Sequence, residues 1–358
     1  MPKIILTGGG SGGSVSPLLA IWLEFRKSNK DFQFSWVGTR CGVEREMVSK
    51  FQIPFYAIHC AKLRRYFSLR NLIEFPLFFI GFFHSFFIIW KEKPSLVLSA
   101  GSFVSVPFVW AAWIMRVPII IHQQDIRPGL ANKLMAPLAR LITVTFEKSL
   151  ADYGAKARWI GNPMQDLESQ DENTKKNNLE SLGLEKKLPL VLIIGGGTGS
   201  RFINELVFSK IFKISKISEV VHITGDAKNN SEISCNNYHQ YGFLDHDLIL
   251  EIMRASSVVV SRCGLATLTE LSYLACPTIL IPMANTHQED NAQIFVDQKS
   301  AIVLYQDELE RDQDLLIEKI QEILNSPQLV SELGQNINKV MKRNASCEMR
   351  KIILDFNF

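Results

Sequence analysis

Cysteine is sparse in this chain. Its six residues stand at 41, 60, 235, 263, 276 and 347, with no Cys-x-x-Cys pair and no paired Cys/His spacing. Neither a disulfide framework nor a zinc site is expected, and a reducing, cytoplasmic compartment fits. Charge is limited too: 21% of residues are Asp, Glu, Lys or Arg, the formal net charge is +3, and there is no long Lys/Arg run. That balance argues against nucleic acid as a partner. The start, Met1-Pro2-Lys3, leads directly into an apolar strand at 4–7 without the regions of a signal peptide, so export is not expected. The Asp and Glu residues near the glycine-rich loops are isolated, with no pair read as a divalent-ion site, so no metal is expected and no other cofactor is called for. What is abundant is apolar residue, 47% of 358, enough for two cores of ordinary domain size.

The most informative stretch is 258–292. Two apolar runs, 258–260 and 278–281, read as buried parallel strands. Between them a helix over about 266–274 opens in Ser261-Arg262-Cys263-Gly264 and carries Glu270 in its second turn. The unpaired amides at such a helix start, with its positive dipole end, suit a diphosphate, and Arg262 would add a fixed charge. Glu270, one turn further in, can accept hydrogen bonds from two ribose hydroxyls. An ordinary βαβ unit with a surface glutamate would read the same way.

The first half begins with a strand, the turn Gly8 to Gly13 and a helix opened by Pro17. Glycines here let backbone amides approach an anion closely. A nicotinamide site is disfavoured, because the strand 32–37 ends in Gly38-Thr39-Arg40 rather than in an acidic residue. Strand signals recur at 55–58, 95–99, 118–121, 141–145 and 157–160, with helices between, and close at Gly161-Asn162-Pro163. After the polar stretch 165–187, a second series opens with the strand 190–194 and GGGTGSRFIN. The pattern predicts two Rossmann-like, doubly wound α/β domains, 1–163 and 164–340, with helical residues 341–358 returning to the first. Two glycine loops at strand carboxyl ends predict anionic ligands facing each other across a cleft.

The stretch 72–90 is as long as a membrane span, but Glu74, Pro76, Gly81 and His84 interrupt it. It reads as a helix of the first domain with surplus aromatics exposed. Upstream, Lys62, Arg64, Arg65 and Arg70 alternate with Tyr66, Phe67 and Leu69, the mixture that rests on anionic lipid. A plain core helix beside a solvated basic loop is the alternative.

Taken in order, GGGSGGSVSPLLA, GSFVSVPFVWAAWIMRVPIIIHQQDIRPGLANKLMA, GNPM, GGGTGSRFIN, SRCGLATLTEL and HQEDNA resemble the MurG family of GT-B fold glycosyltransferases. The resemblance implies an inverting enzyme that moves N-acetylglucosamine from UDP-N-acetylglucosamine to lipid I, making lipid II for peptidoglycan. It implies a peripheral protein on the cytoplasmic face of the inner membrane, in contact with anionic lipids. Carried over, Leu244 would hold the uracil through its backbone, Glu270 the ribose, and the amides of Leu265, Ala266 and Thr267 the diphosphate, beside Arg262. Gln288, with Asn291 nearby, would reach the sugar hydroxyls. Ser11, Gly12 and Gly13 would approach the transferred sugar, and Gly10, Ser11 and Asn132 the acceptor.

The departures cluster at the reactive end. Ser14 stands where the family usually has histidine, Gln165 where it has arginine and Gly197 where it has serine. His-Glu-Gln-Asn becomes His122-Gln123-Gln124-Asp125. With Ser14 unable to act as a base, Asp125 is the remaining carboxylate the resemblance places in the cleft, serving donor binding and catalysis. His122, at a strand end, reads as a core histidine. A related transferase with another UDP-sugar or lipid acceptor, or a weakly catalytic UDP-sugar-binding paralogue, fits the same residues; a nucleotide-dependent oxidoreductase fits them least.

Overall fold

A computed structural model describes residues 1–10, 12–28, 32–60, 69–165, 184, 188–196, 199–225 and 233–356, and for 69–77 gives the helical backbone only. Ser11, Gly197 and the basic positions Lys62, Arg64 and Arg65 lie outside the described residues. The chain forms two compact units: Met1–Gln165 with Lys342–Phe358, and Asp166–Met341.

The first unit alternates β1 (Lys3–Thr7), α1 (Ser16–Lys27), β2 (Gln33–Gly38), α2 (Val43–Ser49), β3 (Phe55–Ala57), α3 (Leu69–Glu92), β4 (Leu96–Ser99), α4 (Ser105–Ile114), β5 (Ile119–Gln123), α5 (Leu130–Met135), β6 (Leu141–Val144) and β7 (Ala157–Trp159). The strands form one parallel sheet in the order β3-β2-β1-β4-β5-β6-β7. Ile4 and Leu6 join Trp36, Leu96 and Leu98 in one core with α1, whereas Ile5 joins Val37, Val97 and Ile121 in another with α3 and α4. Burial on both faces is why these strands read as unbroken apolar runs. The order reverses between β1 and β4, the place where open sheets of this kind bind ligands.

The second unit contains β8 (Leu190–Ile194), α6 (Arg201–Ile214), β9 (Glu219–Ile223), β10 (Tyr238–Tyr241), α7 (His246–Ala255), β11 (Val258–Ser261), α8 (Leu265–Leu274), β12 (Thr278–Leu280), α9 (His287–Asp297), β13 (Ile302–Val303), α10 (Gln306–Arg311), α11 (Leu315–Leu324) and α12 (Pro327–Val340). Its parallel sheet runs β10-β9-β8-β11-β12-β13, reversing between β8 and β11. Strands β9, β10 and β13 are additions to the sequence reading. The first two are hidden by polar residues that the fold satisfies: Glu219 lies 3.2 Å from His239, and His222 bonds Tyr238 at 2.9 Å and Asn204 at 3.1 Å.

The last helix, α13 (Ala345–Leu354), packs on α1 in the first unit and sends Met349, Ile352 and Ile353 into its core. Arg350 pairs with Glu24 at 3.2 Å, and Ser346 donates to the Met164 carbonyl at 2.8 Å.

Candidate active site

In the first unit, three consecutive glycines after β1 are each held by a side chain. Trp36 Nε1 donates to the Gly8 carbonyl (3.1 Å), Ser14 Oγ to the Gly9 carbonyl (3.0 Å), and the Gly10 N–H donates to Glu44 Oε2 (3.0 Å). Glu44, wholly buried in the first turn of α2, also accepts from the Thr39 N–H (2.7 Å) and hydroxyl (2.5 Å). Burial alone would raise its carboxyl, but the bonds from Thr39 and Gly10 outweigh that and hold it below the usual value. Gly12, Gly13 and Ser14 then form a single 3-10 turn into α1. No acidic residue ends β2, and the carboxylate that α2 brings there is taken up by Thr39 and Gly10. Gly10, assigned to the acceptor by resemblance, is exposed but gives its amide to Glu44, and Ser14 is a buried brace of the loop.

Loops from β4 and β5 reach the same sheet edge. Gly101 and Ser102 have φ of 88° and 91°; the second is a strained conformation for a residue with a side chain. Gln124 donates to the Ala100 carbonyl (3.1 Å), tying the two loops together. Asp125 is half-buried, with its backbone carbonyl accepting from Gln123 Nε2 at 2.6 Å. Asn132 is buried, donates to Gln123 Oε1 (2.5 Å), and has no partner for its Oδ1 among the described residues. His122 is a core histidine: it bonds Thr143 at 3.0 Å and Asn162 at 3.3 Å, and burial pushes its imidazole down to about 4. Gln165 is exposed.

In the second unit, α8 starts at the end of β11, with Gly264 as an N-cap that offers no side-chain hydrogen bond. Leu265 is buried, Ala266 exposed and Thr267 half-exposed, so one side of this first turn faces solvent. Glu270 stands in the next turn with its side chain 14% exposed, and burial pushes its carboxyl up to about 8. Leu244, partly exposed, follows β10 and leads into α7, which brings His246 within 3.6 Å of Glu270. The loop after β8 closes onto the same edge. A Cβ on Gly199 would collide with the Thr224 carbonyl, and φ is 80° there, so the turn requires glycine.

Three of the expected donor-side residues are engaged within the protein. Arg262 is buried, and its guanidinium donates to Ser200 Oγ (3.0 Å), the Ile281 and Pro282 carbonyls (3.1 and 2.9 Å) and Gln306 (3.0 Å), so it braces the ends of β11 and β12. Asn291 is fully buried and donates to the Cys263 carbonyl (3.4 Å). Gln288 is partly exposed, with Oε1 accepting from the amides of Cys263 (3.3 Å) and Met283 (3.1 Å). Glu44, Trp36 and His246 were missed; the signal for His246 was its place directly after the Gly-Phe-Leu-Asp turn. Two Asp-x-Asp spacings were also passed over. Asp245 and Asp247 begin α7, and Asp314 binds Lys210 (2.7 Å) and Lys213 (3.0 Å). Among the described residues, no three His, Cys, Asp or Glu side chains gather as a metal ion would need.

Two parallel α/β units, each with a glycine loop at its switch point, make up the GT-B fold, which the solved Acinetobacter baumannii MurG shares. It superposes with a TM-score of 0.76 at 18% identity, covering 99% of this chain and all of that one. The sequence profile of the Glycosyltransferase family 28 N-terminal domain matches residues 4–144, and that of its C-terminal domain residues 190–348. A Legionella pneumophila (strain Paris) UDP-N-acetylglucosamine--N-acetylmuramyl-(pentapeptide) pyrophosphoryl-undecaprenol N-acetylglucosamine transferase is 34% identical over 98% of this chain and 96% of its own length. The Clostridium botulinum (strain Langeland) protein of the same name is 37% identical over 87% and 88%. The chain belongs to this family, the MurG transferases.

Proposed function

We propose that this chain transfers N-acetylglucosamine from UDP-N-acetylglucosamine to the muramoyl sugar of lipid I, with inversion, giving lipid II and UDP. The observation that carries the reading is Glu270, one turn behind the uncapped, solvent-open start of α8, in a chain of this family. Glu270 accepts from the ribose hydroxyls, the backbone at Leu244 meets the uracil, and Gln288 meets the sugar. In the reaction an acceptor hydroxyl oxygen forms a bond to the anomeric carbon as the bond to UDP breaks. The charge that develops on UDP is met by the amides of Leu265, Ala266 and Thr267 and by the helix dipole. Asp125, in the first unit, takes the hydroxyl proton.

The same reading puts the protein on the cytoplasmic face of the membrane, bound peripherally. Among the described residues, no helix is long and apolar enough to cross a membrane. Helices α3 and α4 lie side by side and leave large apolar side chains in solvent, Phe83 at 69%, Trp90 at 62% and Trp113 at 54% exposed among them. Exposed aromatic side chains on two adjacent helices fit a lipid interface.

Radiolabelled UDP-N-acetylglucosamine with a short-chain lipid I analogue tests the transfer. A labelled lipid II analogue is the expected product. Tight donor binding without transfer would favour the weakly catalytic paralogue, which the bracing role of Ser14 also supports.

A further inference from the structure

We propose that Glu44 is a positioning residue for the transfer reaction. It engages the Gly10 amide and leaves anion contact to the loop's later amides, from Gly12 onward. The proposal rests on the transferase reading above. Gly10 is closed on two sides: Glu44 Oε2 accepts its N–H at 3.0 Å, and a Cβ placed on it would lie 2.8 Å from the Phe103 ring. Its φ of 78° is one that glycine alone adopts without strain. The neighbouring Gly9 and Gly42 lack the Cβ atoms that would collide with the Glu44 carboxyl, so backbone surrounds that group closely.

The chemistry favours a carboxylate over any neutral substitute. Glu44 receives three donors, one on Oε2 and two on Oε1, and only a group that accepts through both oxygens satisfies them all. Glutamine would turn an NH2 toward either Gly10 or Thr39, donor against donor. Aspartate is one methylene short of spanning the two sites. A phosphate approaching Gly10 would also meet this ionised carboxylate behind the amide, so the loop repels an anion at its first half and can receive one only at its second. Glu44 touches no substrate. It acts through the loop.

The test compares the full chain with E44Q and with T39V, which removes one of the three donors. In E44Q, amide hydrogen exchange across residues 8–14 should quicken at least tenfold while β1 and β4 stay protected. Turnover with the lipid I analogue should fall about 10- to 100-fold, with the UDP-N-acetylglucosamine dissociation constant within twofold of the parent. T39V should shift both readouts the same way by a few-fold, and it decides the matter if E44Q does not fold. Unchanged loop exchange in the folded variants, or donor affinity lost in step with turnover, would overturn the proposal. A parent protein that transfers nothing to the lipid I analogue counts against the proposed function alone, because the exchange measurement still decides the role of Glu44.

Discussion

The imidazole Nε2 of His246, at the start of α7, lies 3.6 Å from the carboxyl Oε1 of Glu270 on α8. The pair has the spacing of an ion pair but not the charges. Burial raises Glu270 to about 8, and desolvation draws His246 below its ordinary value against the opposing pull of Asp247. At neutral pH a protonated carboxyl therefore faces a neutral imidazole. Ribose hydroxyls that donate to Glu270 stabilise its ionised form, so donor binding must expel the proton.

The first prediction follows from that sign. Below pH 8, UDP-N-acetylglucosamine binding should release a proton, and affinity should rise as pH climbs from 6 to 8 and level off above it, by up to about tenfold per unit. Calorimetry in buffers of different ionisation enthalpy measures the proton directly. Glu270→Ala should weaken binding by roughly 1 to 3 kcal/mol and abolish the pH dependence. A pH-independent affinity in the parent would remove Glu270 from the donor site.

Proton removal in the first unit gives the second. Asp125→Asn should lower turnover by about 100-fold with donor affinity unchanged. Ser14→Ala should lose the hydrogen bond to Gly9, about 1 kcal/mol of stability, with far less effect on rate than Asp125→Asn. Steady-state kinetics on both variants separates the roles, and near-full activity in Asp125→Asn would end its assignment as base.

The membrane face gives the third. Replacing Phe83, Trp90 and Trp113 by Ser should release the protein from vesicles containing anionic phospholipid, since each buried aromatic contributes roughly 1.5 to 3 kcal/mol when fully withdrawn from water. Replacing Lys62, Arg64 and Arg65 by Ser should have a smaller, salt-sensitive effect of about 1 kcal/mol per charge. Co-sedimentation reads both, and equal pelleting of parent and aromatic variant would contradict the assigned face.

The fourth concerns Arg262. Arg262→Met removes the donor to the Ile281 and Pro282 carbonyls and leaves Ser200 Oγ with only its N-cap bond from the Ile203 amide, and should destabilise the second unit by about 3 kcal/mol, seen as a lower urea midpoint. If stability held while donor binding collapsed, the guanidinium would be a ligand group rather than a brace.

Sequence reading served best where the controlling forces are local. The glycine turns, the helix after Gly264 and the apolar strands are short-range patterns, and the family motifs in order gave the GT-B fold and the transferase assignment. It served less well where a role depends on what lies opposite in space. Arg262 sits two residues before Gly264 in the chain, yet its partners Ile281, Pro282 and Gln306 come from elsewhere in the fold, so nothing local indicates that it points inward. Glu44 was invisible for the same reason: an acidic residue in a helix's first turn is ordinary, and only the fold brings Gly10 to it. Strand β10, Tyr-His-Gln-Tyr, has no apolar alternation to betray it, because Tyr238 and His239 find polar partners across the sheet in His222 and Glu219.

Helix α13 has a consequence for how the protein is made. Met349, Ile352 and Ile353 fill the core of a unit whose other residues end at Gln165, so a ribosome must deliver the entire second unit before the first can close. Until then, the apolar groove along α1 that receives α13 stands open. The second unit, built from one continuous segment, can fold as soon as it emerges. The nascent chain therefore matures out of order: the half synthesised first is completed last, and its exposed α1 face is the surface on which a chaperone would have to act.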